Sequence, residues 1–120
     1  MTDHFTTDEK SCHCGCGLNL VDQNPRFLQA LNTARELAGV PFPANCMTRC
    51  AKHNAAVGGE PNSAHLRGLA IDIACTDSRS RERILFGLFG AGFTRIGISK
   101  RFIHADMDTS LPGEVIWVYS

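Results

Sequence analysis

Two short stretches of this 120-residue chain carry side chains suited to chemistry. The first, Ser63-Ala64-His65-Leu66-Arg67-Gly68-Leu69-Ala70-Ile71-Asp72, ends a polar loop and runs into an apolar strand over 69–74. Alternate residues of a strand share a face. Leu69, Ile71 and Ile73 therefore point one way, and Ala70, Asp72 and Ala74 the other. The small alanines leave room beside the carboxylate, while the isoleucine face can be core. The second stretch, Phe102-Ile103-His104-Ala105-Asp106-Met107, puts Phe102, His104 and Asp106 on a common face. His65, Asp72 and His104 together offer two imidazole nitrogens and a carboxylate. That donor set suits one zinc ion and leaves a fourth position open for water. A hydrogen-bonded His–Asp pair in a core is the competing reading of the same residues.

The spacing Ser63-x-His65-x2-Gly68-x-Ala70-x-Asp72, followed by apolar-His104-x-Asp106, resembles the zinc D-alanyl-D-alanine carboxypeptidase family. That family includes phage endolysins that cut peptidoglycan peptides, and it shares its fold with the hedgehog signalling domain. The run Thr48-Arg49-Cys50-Ala51-Lys52-His53-Asn54-Ala55-Ala56-Val57-Gly58-Gly59 resembles the family's Tyr-Arg-x4-Asn-x2-Val-Gly-Gly segment. The likeness runs from about Pro25 onward. It implies His65, Asp72 and His104 as zinc ligands, Arg49 at the substrate carboxylate or oxyanion, and Ser63 beside the substrate. Two positions depart from the pattern. Thr48 stands where the family has an aromatic residue, and Arg101 stands where many members carry an acidic base three residues before the last ligand. Asp106 is then the expected base, with Glu114 as a weaker substitute. Asp106 could equally orient a ligand histidine from behind.

The elements that must position these residues follow from patterning. A chain of this length forms one domain, 1–120, with room for a real core. Apolar content of 43% and charged content of 20% are ordinary for a globular enzyme. Net charge is zero, which argues against nucleic acid as a bulk electrostatic partner. No apolar run approaches a membrane span. The start, Met1-Thr2-Asp3-His4, lacks a basic region and an apolar core, so no signal peptide is expected. A monomer made in the cytoplasm is expected, reaching the cell wall after release or as part of a phage particle.

Residues 1–23 are polar and cysteine-rich. Thr7-x-x-Lys10 offers no capping box. Cys12, Cys14 and Cys16 alternate, with Gly15 permitting a tight turn. A second, structural metal at these three, helped by Cys46, Cys50 or Cys75, is one reading; disulfides and free thiols are the others. Their spacing does not match the usual Cys-x2-Cys knuckle.

Asn24 as N-cap and Pro25 at the first position open a helix whose stripe is Phe27, Leu31, Ala34 and Ala38, ended by Gly39. A short strand is expected at 45–48 and a short helix over 51–57, in which His53 is solvated. Arg67 reads as exposed, and Gly68 as a close approach or positive φ. Thr76 or Asp77 caps a helix reaching about Ala91, buried through Ile84, Leu85, Leu88 and Phe89, with Arg79, Arg81 and Arg83 on its solvated face. Residues 95–99 and 102–107 read as a hairpin, and 114–119 as a last strand. The order predicts an α+β fold, a small antiparallel sheet with flanking helices. The expected activity is hydrolysis of peptidoglycan peptides. The alternative is a non-catalytic zinc-bearing binding or structural module of hedgehog-like fold.

Overall fold

The computed structural model describes residues 2–120. Helix α2, Pro25–Ala38, buries Phe27, Leu31, Ala34 and Ala38 and stops at Gly39, whose φ of 69° is left-handed. Asn24 precedes it but makes no side-chain cap. Its amide nitrogen instead donates to the carbonyls of Leu20 (2.9 Å) and Arg67 (3.0 Å), tying α2 to the loop that carries His65. Helix α4, Ser78–Gly90, is capped by Asp77, whose carboxylate accepts from the Ser80 amide at 2.9 Å. Ile84 and Leu88 are buried as expected, but Phe89 is exposed. The residue facing α2 in its place is Gly87. A Cβ there would lie 2.9 Å from the Ala38 Cβ and collide with the Ala34 carbonyl, so the two helices cross on a glycine.

The short α1, Thr7–Lys10, has a capping box where none was expected, because the cap is Thr6 and not Thr7 and so the third helical position is Glu9. Thr6 Oγ1 accepts from the Glu9 amide (3.1 Å), and Glu9 Oε1 accepts from the Thr6 amide (2.9 Å). Lys10 is buried between Asp3 (2.9 Å) and Asp22 (2.8 Å), which anchors the N-terminal segment.

Five strands form one sheet in the order β1-β2-β4-β3-β5. They are β1 (Ala44–Cys46), β2 (Ala70–Ala74), β3 (Arg95–Ile98), β4 (Phe102–Asp106) and β5 (Val115–Val118). The fold is α+β as expected, and β3 and β4 make the expected hairpin. The pairings are antiparallel except the last: the chain skips over β3 after β4, and β5 joins β3 in parallel. Ile71, Ile73, Ile96 and Ile103 pack with Phe27, Leu31, Ile84, Leu88 and Phe93 into one core. Helix α3, Ala51–Ala56, and a 3-10 turn, Ala64–Arg67, precede β2. Among the described residues no helix is long and apolar enough to cross a membrane.

Candidate active site

The site lies on a single row across the sheet. Cys46 pairs with Asp72, Asp72 with His104, His104 with Gly97, and Gly97 with Trp117. Directly opposed residues of antiparallel strands are close neighbours on one face. Register alone therefore brings Asp72 and His104 together, and His104 Nδ1 lies 2.8 Å from Asp72 Oδ1.

His65 arrives from the 3-10 turn. Ser63 caps that turn, its hydroxyl accepting from the His65 amide at 3.2 Å, and Gly68 closes it with a φ of 69°. Gly68 is also a close approach: a Cβ there would sit 2.5 Å from the Leu20 Cβ. The His65 ring is buried. Its Nδ1 lies 2.7 Å from the Met47 carbonyl, which can only accept, so Nδ1 carries the proton. Nε2 then faces Asp72 Oδ2 at 3.3 Å, buried and without a hydrogen bond. Cys46 Sγ lies 3.5 Å from Nδ1, the nitrogen that does not face Asp72.

His104 is held from both sides. Its Nε2 is 2.7 Å from Asp106 Oδ2, and Asp106 Oδ1 accepts from Arg95 Nε at 2.7 Å and from the Asp108 amide at 3.2 Å. Asp106 is only 2% exposed, and both of its oxygens are engaged. This is the setting of a carboxylate that orients a histidine, whereas a base needs a free oxygen on the substrate side. Glu114, exposed with a φ of 58°, is not among the pocket-lining residues.

Arg49 enters above Asp72, with Nη2 3.8 Å from Asp72 Oδ2. Its Nη1 donates to Asn54 Oδ1 at 2.8 Å and its Nε to Cys46 Sγ at 3.3 Å. Asn54 is fixed in turn by donating to the Glu60 carbonyl at 3.0 Å. Gly59 completes the clamp, since a Cβ there would lie 2.6 Å from Arg49 Nη1 and collide with Asn54 Oδ1. Gly59→Ala is expected to displace Arg49 and raise KM for a peptide substrate about tenfold with little change in melting temperature, measured by steady-state kinetics and thermal unfolding.

These side chains floor a pocket of about 850 Å3, walled by Glu60, Ser63, Phe102, Trp117 and Tyr119 among others. The Trp117 ring lies 5.5 Å from the His104 ring, tilted by 47°. It reaches there across Gly97, where a Cβ would lie 2.6 Å from the indole. A family model described as Peptidase M15 matches residues 3–106, most of the chain. The chain belongs to the peptidase M15 family, the zinc D-alanyl-D-alanine carboxypeptidase-like peptidases. A search of curated proteins gives no match. Strand β5, which brings Trp117 and Tyr119 to this M15 peptidase's pocket, lies beyond the matched residues.

The donors fit the zinc used by M15 peptidases. Cys46, His65 and Asp72 bring ligand atoms within 4.8 Å of one another, His65 through its orphaned, buried Nε2 or its Nδ1, and His104 Nδ1 lies 2.8 Å from Asp72 Oδ1. Burial would push the His65 pKa down. The hydrogen bonds and charges of Asp72 and Cys46 outweigh burial and raise it to about 9. Burial likewise opposes but does not overcome the rise in His104, caused by Asp106 and Asp72, or the marked lowering of Asp72 by the two histidines. In the metal-free protein near neutral pH His65 is therefore the charged imidazolium, with its second proton on Nε2 toward Asp72. A raised histidine pKa contributes stability that is complete below about 6.5 and lost as pH rises through about 9. Metal-stripped protein is expected to lose melting temperature between those pH values, as followed by circular dichroism.

Ser63, expected beside the substrate, lines the pocket while capping the turn. Arg67, expected to be exposed, is half-buried and paired with Asp108 and Asn62. His53 is half-buried. Glu60, Arg95, Trp117 and Tyr119 carried no motif signal. The aromatic tail sat in plain view, but nothing local in the sequence says which strand it joins.

Proposed function

We propose that this M15 peptidase hydrolyses peptide bonds of peptidoglycan stem peptides or cross-links, as a D-alanyl-D-alanine carboxypeptidase or an endolysin-type endopeptidase. The observation carrying this reading is the convergence of His65, Asp72 and His104 under Arg49 on the floor of one pocket. In this reading those three residues hold zinc. A bound zinc supplies Lewis acidity and a water of lowered pKa. Arg49 meets the substrate carboxylate or the developing oxyanion, a role for which its fork of donors is suited. Arg49→Ala is expected to lower turnover about 10²–10³-fold with zinc retained. Asp106, backed by Arg95, orients the His104 ring. The remaining carboxylate on the pocket wall, Glu60, has no side-chain hydrogen bond among the described residues and takes the role of base. Trp117 and Tyr119 form an apolar wall for the substrate's peptide chain. The enzyme works as a monomer on wall material, after release from the cell or within a phage particle.

The test is digestion of purified sacculi followed by mass spectrometry of the products. New amines or free D-alanine, lost in the His104→Ala protein, support the reading; an unchanged peptide pattern at stoichiometric zinc overturns it. A second reading, the non-catalytic zinc module, is favoured by the basic Arg101 at the family's acidic position and by the engaged oxygens of Asp106. The unchanged digest is its signature.

A further inference from the structure

Away from the pocket, four sulfurs gather in one place. Cys12, Cys14 and Cys16 lie on the N-terminal loop, and Cys50 caps helix α3 from a distant part of the chain. Their Sγ atoms all lie within 4.8 Å of one another. Cys12 and Cys14 are 3.4 Å apart, and Cys14 and Cys50 are 3.7 Å apart. Four thiolates bound tetrahedrally at a Zn–S length of about 2.3 Å stand about 3.8 Å from each other. The observed spacing is close to that, and it is too tight for a multi-iron cluster at the centre. Cys75, bonded to the Asp77 carbonyl at 3.6 Å, and Cys46, beside His65, stand apart from the group.

The surroundings are built for sulfur carrying negative charge. The Cys50 amide donates to Cys12 Sγ at 3.4 Å, and the His53 amide donates to Cys50 Sγ at 3.3 Å. Such donors behind the ligands offset the charge of a tetrathiolate centre. The loop bends around the sulfurs through Gly15 and Gly17, with φ of 89° and 80°. Hydrophobic burial is a poor account of the cluster, since Cys14 and Cys16 are exposed.

We propose that Cys12, Cys14, Cys16 and Cys50 form a structural zinc site, separate from the peptidase pocket. All four positions are closed by protein, leaving none for water, so the site is not catalytic. It pins the N-terminal loop to the residue that follows Arg49, and so fixes the backbone from which that arginine reaches the pocket. Thiols lose their protons to solvent on binding, and no redox step is involved.

Cobalt(II) added alone to metal-stripped protein tests the assignment. The His65→Ala/His104→Ala protein lacks both pocket imidazoles and keeps only Asp72 and Cys46 there, too few donors for a tetrahedral site of their own, so the result does not depend on the peptidase reading. It is expected to take up one equivalent of cobalt with a thiolate-to-metal charge-transfer band in the near ultraviolet. Cys14→Ser in the otherwise unaltered protein changes an exposed residue and is expected to remove that band while metal remains in the pocket. As purified, the parent is expected to hold one equivalent of zinc more than Cys14→Ser. The absence of a charge-transfer band in folded His65→Ala/His104→Ala protein overturns the proposal. So does a disulfide among the four found by mass spectrometry of protein isolated without reductant.

Discussion

Asp72→Ala is expected to empty the pocket of zinc and to reduce peptide hydrolysis about 10³-fold or more. The carboxylate lies between His65 Nε2 and His104 Nδ1, at 3.3 and 2.8 Å, and no neighbouring carboxylate can take its place. Asp106 is committed behind His104, and Glu60 is on the wall. Loss of the metal removes several kcal/mol of charge stabilisation, each 1.4 kcal/mol or so being tenfold in rate. Zinc content by mass spectrometry and muropeptide release measure the two effects separately. Because the cysteine site holds its own ion, the expected loss is one equivalent, with the cobalt–thiolate band intact. Full zinc occupancy in Asp72→Ala protein would remove Asp72 from the metal site.

The second large effect separates two carboxylates. Glu60→Gln is expected to slow turnover about 10²–10⁴-fold with zinc still bound, the usual contribution of a general base. Asp106→Asn is expected instead to weaken zinc binding about 10–100-fold, as loss of a carboxylate behind a ligand histidine does, with turnover recovering at saturating zinc. Competition with a chromogenic chelator gives the affinity, and rates at excess zinc give the turnover. If Asp106→Asn binds zinc like the parent and stays inactive at saturation, Asp106 is the base after all, and Glu60→Gln should then be active.

The contrast marks where sequence reading reaches its limit. Alternation within 69–74 and 102–107 correctly placed Asp72 and His104 off the isoleucine face, because the strand period is a local property. It could not show that Asp72 lies directly opposite His104, since register is set between strands. The role expected of Asp106 rested on its sharing a face with His104. Arg95, which occupies its other oxygen, comes from the neighbouring strand and left no local mark. The same holds for Cys50, which lies 34 or more positions from the other three cysteines and meets them only in the fold. Asn24 misled for a different reason. Its residue type is right for a cap, but three backbone carbonyls within reach of its amide compete for the side chain, and they win. The turn chemistry of Gly39 and Gly68 was legible because a left-handed φ depends on the residue itself.

The placement of β5 has a consequence for how the molecule opens. Asp72 and His104 sit on β2 and β4, each flanked by strands on both sides. The aromatic wall is carried by β5, an edge strand held by β3 alone, with Ile116 and Val118 exposed by 58% and 76%. Local unfolding free energies track buried contacts and paired neighbours. Amide protons of β5 should therefore exchange through small, frequent openings, while those of β2 and β4 wait for global unfolding. A peptide could then enter or leave by peeling the rim of the pocket, with the metal-holding floor undisturbed.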